Sequence, residues 1–240
     1  MKDIRSLYLS ELKEEMKAIG EPAFRADQIF SWLHEKRVAS FDEMTNLSKD
    51  LRKKLSENFE LIGAKEVTRL TSKIDGTVKF LYGLSDGQII ESVLMEYKHG
   101  HSMCVSSQVG CRMSCRFCAS TIDGLVRNLT ASEILEQIYE TERSTGVTVS
   151  NIVIMGSGEP MDNYDNVIRF IRLVCDEKVK NISARNITLS TCGIVSGIDR
   201  LSEEGLPITL ELSLHAPNDE LRQTLMPIAK SQKLTDVIAA

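Results

Sequence analysis

No stretch of the 240 residues approaches the roughly 18 consecutive apolar positions that a membrane-crossing helix needs. The N-terminus, MKDIRSLYLSELKEEMKAIG, also lacks the apolar core of a secretory signal, and acids are scattered through it. Both absences point to a cytoplasmic chain with no membrane partner, in a compartment where thiols stay reduced. A basic excess is missing too: 29 Lys and Arg face 34 Asp and Glu, for a net charge of −5. A surface that attracts nucleic acid everywhere is thereby excluded, and phosphate contacts must come from a local patch. Cysteine is scarce, with six in the whole chain. The rest is ordinary: 42% hydrophobic and 26% charged residues suit a globular protein, long enough for one large domain and a small one.

What cysteine there is, is concentrated. Half of it lies in Gly110–Cys118, written GCRMSCRFC, with the spacing C-x3-C-x2-C over Cys111, Cys115 and Cys118. Cys104 stands seven positions upstream of this run. Where thiols are kept reduced, such a cluster reads as metal ligands or redox groups before it reads as disulfides. Structural zinc sites take four ligands, commonly as two separated C-x2-C pairs, and a four-iron cluster usually takes four thiolates. No fourth cysteine or histidine follows closely downstream. Three thiolates would leave one iron with open positions, free to bind a substrate or cofactor.

The periodicity divides the chain. Leu7, Leu9, Leu12 and Met16 mark one helical stripe, broken by Pro22. A second stripe runs through Phe24, Ile29, Phe30, Trp32 and Leu33, and a third helix starts near Ser48. Thr77–Tyr82 and Gln88–Met95 alternate as strands around the turn Ser85-Asp86-Gly87. From Met103 onward, strands alternate with helices: Met103–Ser106, Asn151–Met155, Asn186–Ser190 and Ile208–Leu214 as strands, with a capping box at Thr130–Glu133 opening a helix. That alternation predicts an α/β fold with right-handed βαβ units and a parallel sheet. Four such units are too few to close an eight-unit barrel, so the sheet is open or the chain is part of a longer one.

The cysteine spacing, the aromatic Phe117 before the last cysteine, and Gly156-Ser157-Gly158-Glu159-Pro160 after the next strand resemble the radical S-adenosylmethionine (SAM) superfamily. Cys104–Cys111, Arg127–Thr130, Met155–Pro160, Leu189–Thr191 and Ser213–Asn218, taken in order, look like its RlmN family. The resemblance implies a partial (β/α) radical SAM barrel with a small N-terminal helical domain and a β-hairpin layer. It divides the chain into a helical, RNA-docking domain over 1–65, a hairpin linker layer over 66–101, and a barrel core over 102–240 that is incomplete at its C-terminus. It implies methylation of C2 of adenine in 23S ribosomal RNA and transfer RNA by a monomer supplied with electrons by flavodoxin or ferredoxin.

The same resemblance implies the site. Cys111, Cys115 and Cys118 would ligate a four-iron–four-sulfur cluster, and SAM would complete the fourth iron. Gly158 and Glu159 would take the cofactor's amino end, and Ser190, Ser213, Leu214 and His215 its ribose and carboxylate. Glu91, polar within the apolar strand Ile89–Val93, would accept the proton lost from the modified adenine. Cys104 would resolve a covalent protein–RNA intermediate by disulfide formation with a methyl-carrying cysteine. No residue here matches that second cysteine, and Cys175 and Cys192 read as structural; the expectation is a truncated chain that binds its cofactors without completing methyl transfer. Arg112, Arg116 and Arg127 beside the cysteine loop, with Lys49, Arg52, Lys53 and Lys54, are candidates for phosphate contacts. Two rivals remain: the C8-adenine methyltransferases of the same superfamily, which Gly158-Glu159-Pro160 and Val126–Thr130 fit less well, and a non-catalytic metal-stabilised RNA-binding module.

Overall fold

The N-terminal stripes fold as three helices in the computed structural model, which describes residues 1–240: α1 (Leu9–Ala18), α2 (Arg25–His34) and α3 (Lys49–Asn58). Leu12 and Met16 are buried on α1, Ile29, Phe30 and Leu33 on α2, and Leu51 and Leu55 on α3, whereas Phe24 of the second stripe precedes α2 and is exposed. Ser48 caps α3 by accepting from the Leu51 amide. A short parallel pair, β1 (Lys2–Asp3) with β2 (Phe59–Glu60), ties the two ends of this segment together.

The rest is organised by one seven-stranded sheet. Its antiparallel part is β3 (Lys65–Thr71), β4 (Val78–Gly83), β5 (Ile89–Tyr97) and β6 (Gly100–Cys104). A short antiparallel pair outside it, β7 (Gln108–Gly110) and β8 (Leu125–Asn128), brackets the cysteine loop. Then β9 (Val149–Ile154), β10 (Ile187–Thr191) and β11 (Thr209–Leu212) run parallel to β6, giving the order β11-β10-β9-β6-β5-β4-β3. The hairpin strands thus share hydrogen bonds with the parallel strands, because β6 pairs with β5 on one side and β9 on the other. Helices α4 (Ala131–Thr145), α5 (Tyr164–Cys175) and α6 (Val195–Glu203) make the crossovers, and α7 (Asp219–Leu225) and α8 (Leu234–Ala239) follow β11. No helix is long and apolar enough to cross a membrane.

Strand alternation sorts the sheet's two faces. Tyr82, Ile90, Ser92, Leu94, Met103, Ile152 and Leu189 are buried on the side covered by helices, where Ser92 donates to Gln137 of α4 at 2.6 Å. Glu91, Val93, Cys104, Val153 and Thr188 fall on the other, more open face. The capping box is present at α4: Thr130 accepts from the Glu133 amide, and Glu133 accepts from the Thr130 amide at 2.9 Å.

The N-terminal helices and the sheet share a single core of 46 buried residues, so the helical segment is not held on by a linker alone. Arg5 forms a buried ion pair with Glu136 of α4, Arg169 of α5 grips Glu11, and His34 bonds the Tyr139 hydroxyl at 3.0 Å. Burial, with the nearby Arg5 charge adding to it, pushes His34 down to about 3. The sign follows: below the ordinary histidine pKa of about 6.5 the unfolded chain binds a proton that the folded one refuses, so stability falls as pH falls. Between pH 7.5 and 5.5 this histidine alone should remove about 1.4 kcal/mol. Urea titrations of the protein and of His34→Gln at the two pH values would show it, since the variant should lose that much less stability on acidification.

Candidate active site

The C-terminal ends of the parallel strands open into one cavity of about 260 Å³. Cys111, Met113, Cys115, Phe117 and Cys118 of the cysteine loop form one wall. The opposite wall is Gly156, Gly158, Glu159 and Pro160 after β9, Ser190, Thr191 and Cys192 at the end of β10, and Ser213 and His215 after β11. Ligands collect at this edge in α/β folds because the loops that follow each strand converge there. Leu214 is beside the cavity but does not line it; its carbonyl accepts from Arg222. A larger cavity, about 730 Å³, lies between the N-terminal segment and α4, but its floor is the Arg5–Glu136 pair and no thiol reaches it.

The cysteine loop is held at both ends and in the middle. The Cys111 amide donates to the Gly124 carbonyl at 3.0 Å, Cys118 to Cys115 at 3.0 Å, and the Arg116 amide to Leu225 at 2.9 Å. Ser114 and His215 take left-handed backbone, with φ of 58° and 55°. Such strain in non-glycine residues persists where surrounding structure imposes it and gathers at ligand clamps. The Phe117 and His215 rings meet across the mouth with centroids 4.7 Å apart, and the Ser190 and Ser213 hydroxyls lie 3.2 Å apart.

The glycine-rich loop is zipped to the chain after β6. Ser107 and Gln108 both donate to the Ser157 carbonyl, and the Glu159 amide donates to Gln108 Oε1 at 2.9 Å. Gly158 has φ +105°, and a Cβ there would sit 2.6 Å from Gln108 Cβ. Its glycine is therefore required by this packing. Glu159 is buried, and its carboxylate accepts from the Met161 amide at 3.1 Å, Thr191 Oγ1 at 2.7 Å and the Cys192 amide at 2.8 Å.

All six cysteines are free thiols. Burial pushes Cys111 up to about 11, with Glu159 and the neighbouring thiols adding to the shift, and burial raises Cys115 as well. Cys111 and Cys115, which resist ionisation by themselves, suit a cation that compensates their thiolates, and Cys118 in the same wall completes three soft donors. Three thiols in one cavity wall are the donor type that an iron–sulfur cluster takes, and in that respect the donor set fits one. Cys192, read from sequence as structural, proves to be a fourth thiol in the cavity wall.

Glu91 and Cys104 lie outside the cavity, as diagonal neighbours on the open face of β5 and β6. Burial raises the Cys104 thiol, and the Glu91 charge raises it further, while the Met155 amide of the cavity rim opposes both. Lys79 of β4 pairs with Glu91 at 2.9 Å, a contact that sequence spacing did not reveal. Two of the arginines expected to face phosphate are already engaged. Arg127 makes two bonds of 2.8 Å to Glu133 and one of 2.6 Å to Asp86, and Arg112 pairs with Asp162. Arg116 is exposed and carries no ion pair.

Residues 2–61 match the family described as "Ribosomal RNA large subunit methyltransferase N-terminal domain", and residues 105–240 match the "Radical SAM superfamily". The "Probable dual-specificity RNA methyltransferase RlmN" of Lachnoclostridium phytofermentans is 60% identical over 238 residues, which is 99% of this chain and 67% of that protein. That of Clostridium novyi is 52% identical over 240 residues, 100% of this chain and 70% of the relative. A solved structure, a radical SAM methyltransferase from Sphaerobacter thermophilus, matches 100% of this chain and 71% of its own with a TM-score of 0.91 at 41% identity.

Proposed function

The chain belongs to the RlmN family of radical SAM proteins, and we infer that it is an RNA methyltransferase acting on C2 of adenine in 23S ribosomal RNA and transfer RNA. The observation that carries this reading is a single cavity lined by the three loop cysteines together with Gly158, Glu159, Ser190, Ser213 and His215. Cys111, Cys115 and Cys118 would hold a 4Fe-4S cluster, and the residues opposite, with Leu214 beside them, would hold SAM. When bound, these groups supply a methyl group and a 5′-deoxyadenosyl radical.

The chain's own residues account for the rest. An ionised carboxylate has about four acceptor directions. Glu159 spends three on the protein, which fixes its orientation and leaves one for an ammonium group. The Ser190 and Ser213 hydroxyls can donate and accept together toward a ribose or carboxylate. Glu91 accepts the proton that the modified adenine must lose, and Lys79 holds its carboxylate in place. Cys104, one strand away, is the thiol that resolves the bond between protein and RNA. The same reading has the enzyme working as a monomer with flavodoxin or ferredoxin as electron donor.

The chain spans 67% of the Lachnoclostridium relative, so the test uses this chain joined to the part of that relative it does not match. Incubated anaerobically with SAM, a reductant and an adenine-containing RNA hairpin, it should yield 2-methyladenosine by mass spectrometry. Glu91→Gln should slow that product about a hundredfold or more. Formation of 8-methyladenosine would favour the C8-modifying group, and cleavage of SAM without any methyladenosine would overturn RNA as the substrate.

A further inference from the structure

Arg222 of α7 carries a charge that no carboxylate balances. It is 0% exposed. Its Nε donates to the Leu214 carbonyl at 3.2 Å, Nη1 to Gln232 at 3.4 Å, and Nη2 to the Cys192 carbonyl. All three acceptors are neutral, and Arg222 takes part in none of the ion pairs, in contrast to the other fully buried arginine, Arg5, which has Glu136. Burying an ion without an opposite charge is strongly unfavourable, so such a group persists where something supplies the missing charge.

The surroundings show where that charge would lie. Cys192, with Ser213 and His215 after β11, forms the cavity wall that faces the cysteine loop. Met226, just after Arg222, shares one buried cluster with Cys111, Cys115 and Cys192, against which Leu225, Ile228 and Cys118 pack, and the Arg116 amide reaches back to Leu225.

We propose that Arg222 is the fixed counter-charge of the thiolate-bound cluster and makes that cluster easier to reduce. Three thiolates outweigh the charge of the oxidised iron–sulfide core, and the electron delivered by the external reductant adds one more negative charge. A buried cation stabilises the more negative state more, which raises the reduction potential. This rests on the cluster assignment above, so iron and sulfide are measured before the potential is.

Reconstituted protein, Arg222→Gln and Arg222→Lys are poised at the wild-type midpoint, and the reduced fraction is read by electron paramagnetic resonance. Arg222→Gln should lower the ratio of reduced to oxidised cluster about tenfold, equivalent to about 59 mV for a one-electron couple. Arg222→Lys, which keeps the charge and loses the forked geometry, should stay within about twofold of wild type. An Arg222→Gln ratio within twofold of wild type, at equal iron content, would overturn the proposal. If Arg222→Gln fails to fold, Arg222→Met takes its place with the same expected tenfold fall and the same overturning result, and a tenfold fall in Arg222→Lys would overturn a charge effect. Wild-type protein that takes up no iron and sulfide would overturn both the cluster assignment and this role.

Discussion

Replacing Cys115 with alanine is expected to abolish both cluster binding and SAM cleavage. The argument is one of ligand count. Wild-type protein reconstituted anaerobically should hold about four irons with matching acid-labile sulfide, because three thiolates and one open iron complete the set. Removing the middle thiolate leaves two ligands on a core that needs three, and the one carboxylate in the cavity wall, Glu159, is held in its orientation by Thr191 and the Cys192 amide. Cys192 is the nearest substitute in the wall, so Cys115→Ala together with Cys192→Ala is the stringent form of the test. The sheet should remain folded, since the loop keeps its amide bonds to Gly124 and Leu225. Iron, sulfide and 5′-deoxyadenosine are measured in parallel. A double variant with normal cluster content and normal cleavage would remove Cys115 from the ligand set. Wild-type protein that holds zinc and no sulfide would instead support a metal-stabilised RNA-binding module.

Gly158→Ala should be among the most destabilising methyl additions possible in this chain. At φ +105° a side chain strains the backbone by roughly 1–3 kcal/mol. The new Cβ also meets Gln108 N and Ser107 Oγ at 2.7 Å, and relieving such overpacking adds roughly 1–3 kcal/mol. The loop cannot simply retreat, because its neighbours Ser157 and Glu159 are bonded to the same two residues. The combined effect of about 2–6 kcal/mol corresponds to a fall in melting temperature on the order of 10 °C for a chain of this size. Circular dichroism melts would measure it, and a loss of under 2 °C would show that the loop has slack the packing does not reveal. Any displacement that does occur should carry Glu159 with it and weaken SAM retention.

The parts of the site that could be read from sequence are those defined by local spacing. The cysteine triplet, the capping box at Thr130 and the apolar strands before Gly156 and Ser190 each declare themselves within a few residues. β3 gives no clear strand signal because it is an edge strand, exposed along most of its length, with no clean alternation. β7 and β8, three and four residues long, are too short to show a period. Arg222 sits in DELRQTL, which has the composition of a solvated helix surface; only the path of the chain brings three carbonyls around it. Arg127 shows the reverse. It looks available for phosphate until the fold sets Asp86, 41 residues away, against it.

The shared core has a consequence for synthesis. The helices α1 to α3 leave the ribosome first, yet the surfaces they pack against belong to α4 and α5, and contacts such as Arg5 to Glu136 and Glu11 to Arg169 span 131 and 158 residues. At translation rates of about 5–20 residues per second, α3 waits roughly 4–15 seconds before α4 begins to appear. During that interval Leu12, Met16, Ile29, Phe30 and Leu33 have no sheet or crossover helix to cover them. The apolar face of the nascent segment thus stays uncovered until chain more than 70 residues downstream has been made, and native closure depends on contacts of high sequence separation.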